Sequence, residues 1–423
     1  MADKVIGFVG LGAMGGGMAK VLVRGGFTVH CYDIYPPSVQ NLVDVGGKAE
    51  ATPADVAKSA DIVAMMVVGP AHVNSALFDQ DSGAIYGFRQ GAILIITSTV
   101  PPGFCAEIQD RIANEFQRPD VTLLDCPVSG GTTGAASGTL TIFGSGPEEG
   151  LKRAQPVLSC LADKLYTIAG GIGSGSKAKM CHQIPAEVQI ALTNEVMAFA
   201  AKAGLNTQET FDAVQASDGY SWINGNRIIH MLEGDKRVYS ALPNSLKDTS
   251  IIVNHARIVS HPVFLSATAE QIFDAGISAG WGPEDDSTLW RLYLSSAPDD
   301  AIFQMTKAGC KLFERTESIT IQDIIDVFAG THLAIAAETM GFTHAVGLDT
   351  SQMYKIFRTA AGASTQFDKQ VPKMKAPTWS LRDVPEAPGI KKRLESALIK
   401  SISIGAPMPL AAVALQIIQR HLQ

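Results

Sequence analysis

Short apolar runs, separated by helical stretches, set the pattern of the first half of the chain. Val5-Ile-Gly-Phe-Val9 is the first run, and later runs end at Val68, Ile96 and Asp125. A strand that is covered on both faces of a parallel sheet has this continuous apolar character. Helical periodicity follows the first run in Met18-Ala-Lys-Val-Leu-Val. The alternation predicts an α/β domain built on a parallel sheet.

The second half has helical periodicity throughout, and one part of it recurs. Glu195 and Glu338 stand 143 positions apart, and so do Gly204 and Gly347. Two further pairs keep that offset: Ser221 with Ser364, and Met231 with Met374. The constant spacing predicts two tandem all-α domains, the second a copy of the first. The predicted boundaries are 1–170 for the α/β domain, 171–295 for the first helical domain, 296–318 for a connector and 319–423 for the copy.

The composition and charge of the chain argue against two classes of binding partner. The chain has 423 residues, a formal net charge of −7 and a pI near 5.7, which argues against binding nucleic acid or a membrane surface. No apolar run reaches the length of a membrane span. The six cysteines lack CxxC spacing, so neither a metal site nor a disulfide framework is indicated. We therefore expect a cytoplasmic protein with reduced thiols.

A glycine motif lies between the first apolar run and the first helix: Gly10-Leu11-Gly12-Ala13-Met14-Gly15. In a GxGxxG motif the first glycine permits a tight turn, the second admits a diphosphate, and the third allows close packing of helix on strand. The diphosphate then lies at a helix N-terminus. With these flanks the motif predicts a dinucleotide site in a Rossmann-type domain.

Asp33 ends the next predicted strand, 18 positions after Gly15. A carboxylate at that place accepts both adenosine ribose hydroxyls and repels a 2′-phosphate, which favours NAD over NADP. The alternative is that Asp33 only terminates a turn. Val67, Val68 and Thr99 follow later strands and are expected to line the cofactor cleft, although a helix cap is a common role for a threonine such as Thr99.

The two helical copies differ in their chemistry. Lys179 follows the glycine-rich turn Gly173-Ser-Gly175, and His182 and Gln183 come three and four positions later, on the same helix face. The offset of 143 places Gln322 opposite Lys179, and glutamine does not transfer a proton. Only the first copy is therefore expected to carry the reactive group.

Four separated motifs resemble those of the β-hydroxyacid dehydrogenase family, the relatives of 3-hydroxyisobutyrate and 6-phosphogluconate dehydrogenases. The resemblance covers about residues 4–295 and includes a later Lys247-Asp248 pair. The motifs are Gly10–Gly15, Ser98-Thr99-Val-Pro-Pro102, Asp125–Leu140 and Gly173–Gln183.

The resemblance implies an NAD-dependent dehydrogenase that oxidises a small β-hydroxy acid by hydride transfer. Lys179 would be the general acid and base, and its free pKa of about 10.4 would have to be lowered for that task. The resemblance also implies Ser129, Gly130 and Gly131 for the substrate carboxylate, His182 and Gln183 for further hydroxyls, and Trp222 as a pocket wall. Lys247 would lie near the nicotinamide ribose of the cofactor or near the substrate. For Trp222 core packing is an equal alternative, for His182 a packing role, and for Lys247 an exposed position.

His182 stands where many family members have asparagine, and in this the chain resembles the L-threonate dehydrogenase branch. A 3-hydroxyisobutyrate or tartronate-semialdehyde type of substrate is the alternative. An NAD-binding sensor or scaffold without turnover is the alternative from another class. Related single-length enzymes pair through their helical domains, so we expect an intramolecular pseudo-dimer of helical domains. A further homodimer is left open.

Overall fold

The computed structural model describes residues 5–423. Lys4, where the resemblance starts, lies outside the described residues. The chain divides into two compact units between Met180 and Cys181. The predicted boundaries at 170, 295 and 318 are finer than this division and stay a prediction.

The first unit contains a six-stranded, wholly parallel sheet in the order β3-β2-β1-β4-β5-β6. Its strands are β1 (Val5–Val9), β2 (Thr28–Tyr32), β3 (Lys48–Ala49), β4 (Ile62–Met65), β5 (Ile93–Ile96) and β6 (Thr122–Asp125). This order reverses direction between β1 and β4, as in Rossmann-type domains, which bind their ligand at that point. A small second sheet has the order β7-β8-β9, with β7 (Val128–Ser129), β8 (Leu140–Gly144) and β9 (Ala162–Thr167).

Helices of the first unit cover both faces of the large sheet. They are α1 (Gly15–Arg24), α2 (Pro36–Val43), α3 (Pro53–Ser59), α4 (Pro70–Phe78), α5 (Phe104–Asp110), α6 (Gly131–Ser137) and α7 (Glu148–Leu161). Along β5, Ile93 and Ile95 belong to one apolar core, whereas Leu94 and Ile96 belong to another. The strand is buried on both faces, which explains its unbroken apolar sequence.

The strands of the large sheet end in register at one edge. Val9 pairs with both Tyr32 and Met65, Met65 pairs with Ile96, and Ile96 pairs with Asp125. The loops after these strands therefore leave the sheet side by side. Every loop assigned to the cofactor cleft from the sequence starts at this edge.

The rest of the chain is largely helical. The helix α8 (Ser174–Lys202) runs across the division between the units. The later helices are α9 (Thr207–Gln215), α10 (Trp222–Glu233), α11 (Leu242–Ile258), α12 (Phe264–Gly276), α13 (Ala301–Gln304), α14 (Ile321–Ala345), α15 (Thr350–Phe357), α16 (Thr365–Gln370), α17 (Ala387–Ser403) and α18 (Pro409–Leu422). The prediction of a parallel α/β domain followed by a helical region is confirmed.

Two long helices, α8 and α14, carry buried carboxylates that receive the backbone N–H groups of other helices. Glu195 of α8 accepts from Leu410 and Ala411 at the start of α18, at 3.0 and 3.1 Å. Glu338 of α14 accepts from Leu265 and Ser266 at the start of α12, at 2.8 and 2.9 Å. The first N–H groups of a helix lack partners within it, so each carboxylate satisfies two of them. Burial raises the pKa of Glu195 to about 8 and also raises the pKa of Glu338.

His332 of α14 is an unusual buried polar residue. Its side chain has no exposed surface, and neither ring nitrogen has a hydrogen-bond partner. The ring stacks on Phe328, one turn earlier, with centroids 5.8 Å apart. Burial without a partner disfavours the charged imidazolium, which lowers the pKa of His332 to about 3.

The substitution His332→Leu should flatten the acid side of the stability profile. The unfolded chain binds a proton on His332 below about pH 6.5, whereas the folded chain binds it only near pH 3, so the wild type loses stability as the pH falls through this window. The loss is at most about 1.4 kcal/mol per pH unit. Urea unfolding at several pH values measures it, with the exposed His72→Gln as control. Parallel pH profiles for wild type and His332→Leu would contradict the assignment.

Candidate active site

The glycine turn after β1 is fixed by close backbone contacts. A Cβ on Gly10 would lie 2.2 Å from the Met66 carbonyl oxygen, and one on Gly15 would lie 2.0 Å from the Gly10 carbonyl oxygen. Neither position admits a side chain. A Cβ on Gly12 would meet nothing within 4 Å. The backbone at Gly12 is thus open to an approaching group, as a diphosphate site requires.

Asp33 lies directly after β2 and is held against the glycine turn. Its carboxylate accepts the N–H of Leu11 at 2.5 Å and the N–H of Tyr35 at 2.7 Å. An ionised carboxylate has about four acceptor positions, so two hydrogen bonds leave capacity for ribose hydroxyls. The turn-terminating role and a cofactor role are therefore compatible at this residue.

The loops after β4 and β5 are joined by a serine. The Ser98 hydroxyl oxygen accepts the N–H of Val67 at 2.9 Å. Val68, the next residue, is exposed, and Thr99 is half-buried. Thr99 is not the N-cap of α5, because that position belongs to Gly103. The helix-cap alternative for Thr99 does not describe this loop.

The segment from Ser129 to Gly131 forms a turn between β7 and α6. Gly130 and Gly131 have φ values of 133° and 61°, which residues with a Cβ rarely adopt. A Cβ on Gly131 would meet nothing within 4 Å, whereas Ser129 is buried and pairs with Thr141 of β8. Two successive glycines of positive φ expose backbone N–H groups without side-chain cover, which suits an anionic ligand.

The first turn of α8 is anchored on the buried Asp125 through Ser176, three residues ahead of Lys179. The Asp125 carboxylate accepts both the N–H and the hydroxyl of Ser176, each at 2.7 Å. Gly175 lies so close to β8 that a Cβ would be 2.3 Å from the Phe143 carbonyl oxygen. Burial raises the pKa of Asp125, and the hydrogen bonds from Ser176 oppose that rise. Lys179 itself is buried, one turn after this anchor.

Further along α8, the second unit holds a polar cluster around Gln183. The Gln183 side-chain nitrogen donates to Glu187 at 3.0 Å and to Asp248 at 2.6 Å. Its oxygen lies 3.2 Å from Nδ1 of His182. Lys247 pairs with Asp248 at 3.4 Å. The structure thus places His182, Gln183 and Lys247 in one cluster.

Trp222 lies outside that cluster, at the first position of α10. Ser221 caps this helix by accepting the N–H of Asn224. Trp222 is 40 % exposed, so it is not a core residue. Its backbone N–H donates to the Ala363 carbonyl oxygen at 2.9 Å.

Both parts of the chain that carry these residues match known families. Residues 5–170 match the NAD binding domain of 6-phosphogluconate dehydrogenase. Residues 173–293 match the NAD-binding region of NADP-dependent 3-hydroxyisobutyrate dehydrogenase. L-threonate dehydrogenase of Cupriavidus necator is 38% identical over 291 residues, which cover 69% of this chain and 96% of that protein.

The chain belongs to the β-hydroxyacid dehydrogenase family.

Two solved structures extend the comparison. The 3-hydroxyisobutyrate dehydrogenase of Salmonella typhimurium is 34% identical with a TM-score of 0.64, covering 68% of this chain and 99% of that one. The 6-phosphogluconate dehydrogenase of Plasmodium falciparum is 15% identical with a TM-score of 0.70, covering 98% of this chain and 92% of that one. The latter likeness concerns the fold, and it includes the helices beyond residue 293. This β-hydroxyacid dehydrogenase is an oxidoreductase that uses a nicotinamide cofactor.

Sequence reasoning on this β-hydroxyacid dehydrogenase missed three residues that hold the predicted ones in place. Ser98 joins two cofactor-side loops, Ser176 receives the anchor from Asp125, and Glu187 holds Gln183. Ser98 and Ser176 lay within the motifs that carried the resemblance, but nothing in the sequence marked Glu187. Among residues 5–423 no group of three or more metal-binding side chains comes together. In the same range, no helix combines the length and apolarity that crossing a membrane demands.

Gly12→Ala should separate cofactor binding from folding. The added methyl group has open space in the protein but occupies the approach of the diphosphate, so NAD affinity should fall on the order of tenfold. Gly15→Ala instead forces a clash with the Gly10 carbonyl and should lower the melting temperature. Calorimetric titration with NAD and thermal unfolding measure the two effects. Unchanged NAD affinity in a folded Gly12→Ala protein would argue against this cradle.

Proposed function

We propose that this enzyme oxidises a small β-hydroxy acid of the L-threonate type with NAD, and that Lys179 is its general acid and base. The observation that carries the reaction is the buried lysine on α8, one turn after an anchor between Ser176 and Asp125. The substrate class rests on the 38% identity to an L-threonate dehydrogenase and on His182, at which the sequence motif resembles that branch.

The chemistry requires a hydride and a proton to leave the same carbinol group. NAD, when bound, accepts the hydride from the carbinol carbon. The neutral Lys179 amine takes the proton from the carbinol oxygen, and a carbonyl product remains. In the reverse direction the Lys179 ammonium returns this proton.

Cofactor choice is assigned to Asp33. A carboxylate at the end of β2 accepts ribose hydroxyls and repels a 2′-phosphate. The following Tyr35-Pro36-Pro37 segment supplies no arginine to hold such a phosphate. NAD is therefore the proposed cofactor.

Substrate recognition is assigned to two places. The turn Ser129-Gly130-Gly131 offers backbone N–H groups and a hydroxyl to the substrate carboxylate. Gln183 and His182 select further hydroxyl groups, and the exposed Trp222 forms a wall of the pocket. Lys247, paired with Asp248, lies next to this cluster and contributes a positive charge.

We further propose that residues 319–423 are a copy of the first helical domain and take the place of a partner subunit. Reciprocal contacts support this. Ser221 forms a β-bridge with Ser364, the residue 143 positions later. The two flanking hydrogen bonds are related by the same offset. The Trp222 N–H donates to the Ala363 carbonyl oxygen, and the Thr365 N–H donates to the Tyr220 carbonyl oxygen. The carboxylates Glu195 and Glu338 keep the same spacing and cap helices in each other's half. A linked copy has a higher effective concentration than a separate chain.

The copy has lost the groups assigned to chemistry. Gln322, Ile325 and Asp326 stand opposite Lys179, His182 and Gln183. Asp326 is held by Arg393 at 3.0 Å, so an ion pair occupies the place of an amide network. We propose the copy as a structural partner of the first helical domain. Light scattering measures whether two whole chains also associate.

Lys179→Met should abolish oxidation while leaving NAD binding intact, because it removes the proton acceptor and preserves bulk. The assay follows NADH formation with both threonates, both erythronates, 3-hydroxyisobutyrate and glycerate, each with NAD and NADP. The half-buried Lys177→Met is the matched control on the same helix and should retain activity. NAD binding without turnover of any acid by the wild type would instead favour a sensor.

Glu195→Gln and Glu338→Gln should destabilise the chain to a similar degree. In each, both side-chain oxygens accept a buried N–H group, and glutamine replaces one of these oxygens with an NH2 donor. The expected loss is about 1–3 kcal/mol for each. Urea unfolding of the complete chain measures it, with the exposed Glu209→Gln as control. A large loss for one variant and none for the other would speak against equivalent capping roles.

A further inference from the structure

A line of side-chain contacts connects α15 to the predicted substrate residues on α8. The Phe357 ring meets the His182 ring edge to face, with centroids 5.9 Å apart and planes at 61°. Both side chains are fully buried. An edge-to-face pair fixes the angle of a ring more strictly than aliphatic packing does. Phe357 therefore restricts the orientation of the His182 imidazole.

His182 in turn faces a side chain whose orientation is determined. The Gln183 nitrogen donates to two carboxylates, those of Glu187 and Asp248, and carboxylates accept hydrogen bonds. The amide nitrogen must point to them, which leaves the amide oxygen toward His182 Nδ1 at 3.2 Å. An oxygen acceptor requires a donor, so His182 holds its proton on Nδ1 in this arrangement.

The segment after Phe357 follows the same helix closely. Gly362 lies so near Pro185 that a Cβ would be 2.5 Å from the proline Cγ. The Gly362 carbonyl oxygen accepts from the Gln189 side chain at 3.0 Å, and the next carbonyl, of Ala363, accepts from Trp222. The stretch 357–365 thus contacts α8 after Gln183 and also the start of α10, where Trp222 lies.

We infer that Phe357 is a positioning residue for the substrate site, acting through His182 on the Gln183 carboxamide. This inference rests on the proposed function, because it assumes that Gln183 contacts the hydroxy acid. The half of the chain without the reactive lysine then has a direct part in substrate selection. The residue 143 positions before Phe357 is Val214, which has no ring to offer.

The test is a double-mutant cycle of Phe357→Leu and His182→Asn, measured in the complete chain. Phe357→Leu should raise KM for the preferred hydroxy acid on the order of tenfold and leave kcat and the KM for NAD within about twofold. In the His182→Asn background the same substitution should change KM by less than about twofold, because its route of action is gone. The control is Phe342→Leu, an equally buried phenylalanine that contacts His255 and His261 instead.

The inference would be overturned by additive effects in the cycle, or by equal KM changes for Phe357→Leu and Phe342→Leu. Neither result would contradict the proposed dehydrogenase activity. A second readout does not depend on turnover. The ring-nitrogen NMR signals of ¹⁵N-labelled His182 should report a proton on Nδ1 in the wild type and should shift in Phe357→Leu but not in Phe342→Leu. If the wild type oxidised no acid, the proposed function would fail, and unchanged His182 signals in Phe357→Leu would still refute the positioning role.

Discussion

The buried carboxylate of Asp125 is the contact on which the placement of Lys179 depends. It ends β6 at the edge where the other strands of the sheet also end, and it receives the first turn of α8 through Ser176. A negative charge at the N-terminus of a helix is favourable, which offsets part of the cost of burying this group. One residue thereby connects the rigid parallel sheet to the helix that carries the lysine. The position of Lys179 along that helix then follows from helical geometry alone.

Local patterns in the sequence were sufficient for the parts of the fold that local physics determines. The sequence pattern predicted β1, β2, β4, β5 and β6, and the glycine motif predicted the turn after β1, because both depend on residues that are adjacent in the chain. The two-residue strand β3 was not predicted. The small sheet β7-β8-β9 was not predicted. Its strand β7 has only two residues, Val128 and Ser129, too few for a periodic signal.

Contacts between residues that are far apart in the sequence could not be predicted from the sequence. Gln183 was selected from its spacing to Lys179, but its acceptor Asp248 is 65 positions away and Phe357 lies further still. Such contacts depend on how helices pack, which one sequence does not reveal. The Ser221–Ser364 bridge is an exception, because the offset of 143 already related these two residues in the sequence.

The proposed duplication, with two related helical halves in one chain, would have a consequence for how substitutions change the site. In a symmetric dimer of identical chains, every substitution appears twice, once near each active site and once at the related position. Under the proposed duplication, Phe357 and Val214 occupy related positions yet differ. So do Gln183, which donates to Asp248, and Asp326, which pairs with Arg393. A dimer of identical chains cannot carry such a difference, because one gene encodes both subunits. If the proposed duplication holds, a covalent copy would allow side chains to change in one half and so alter the site in the other.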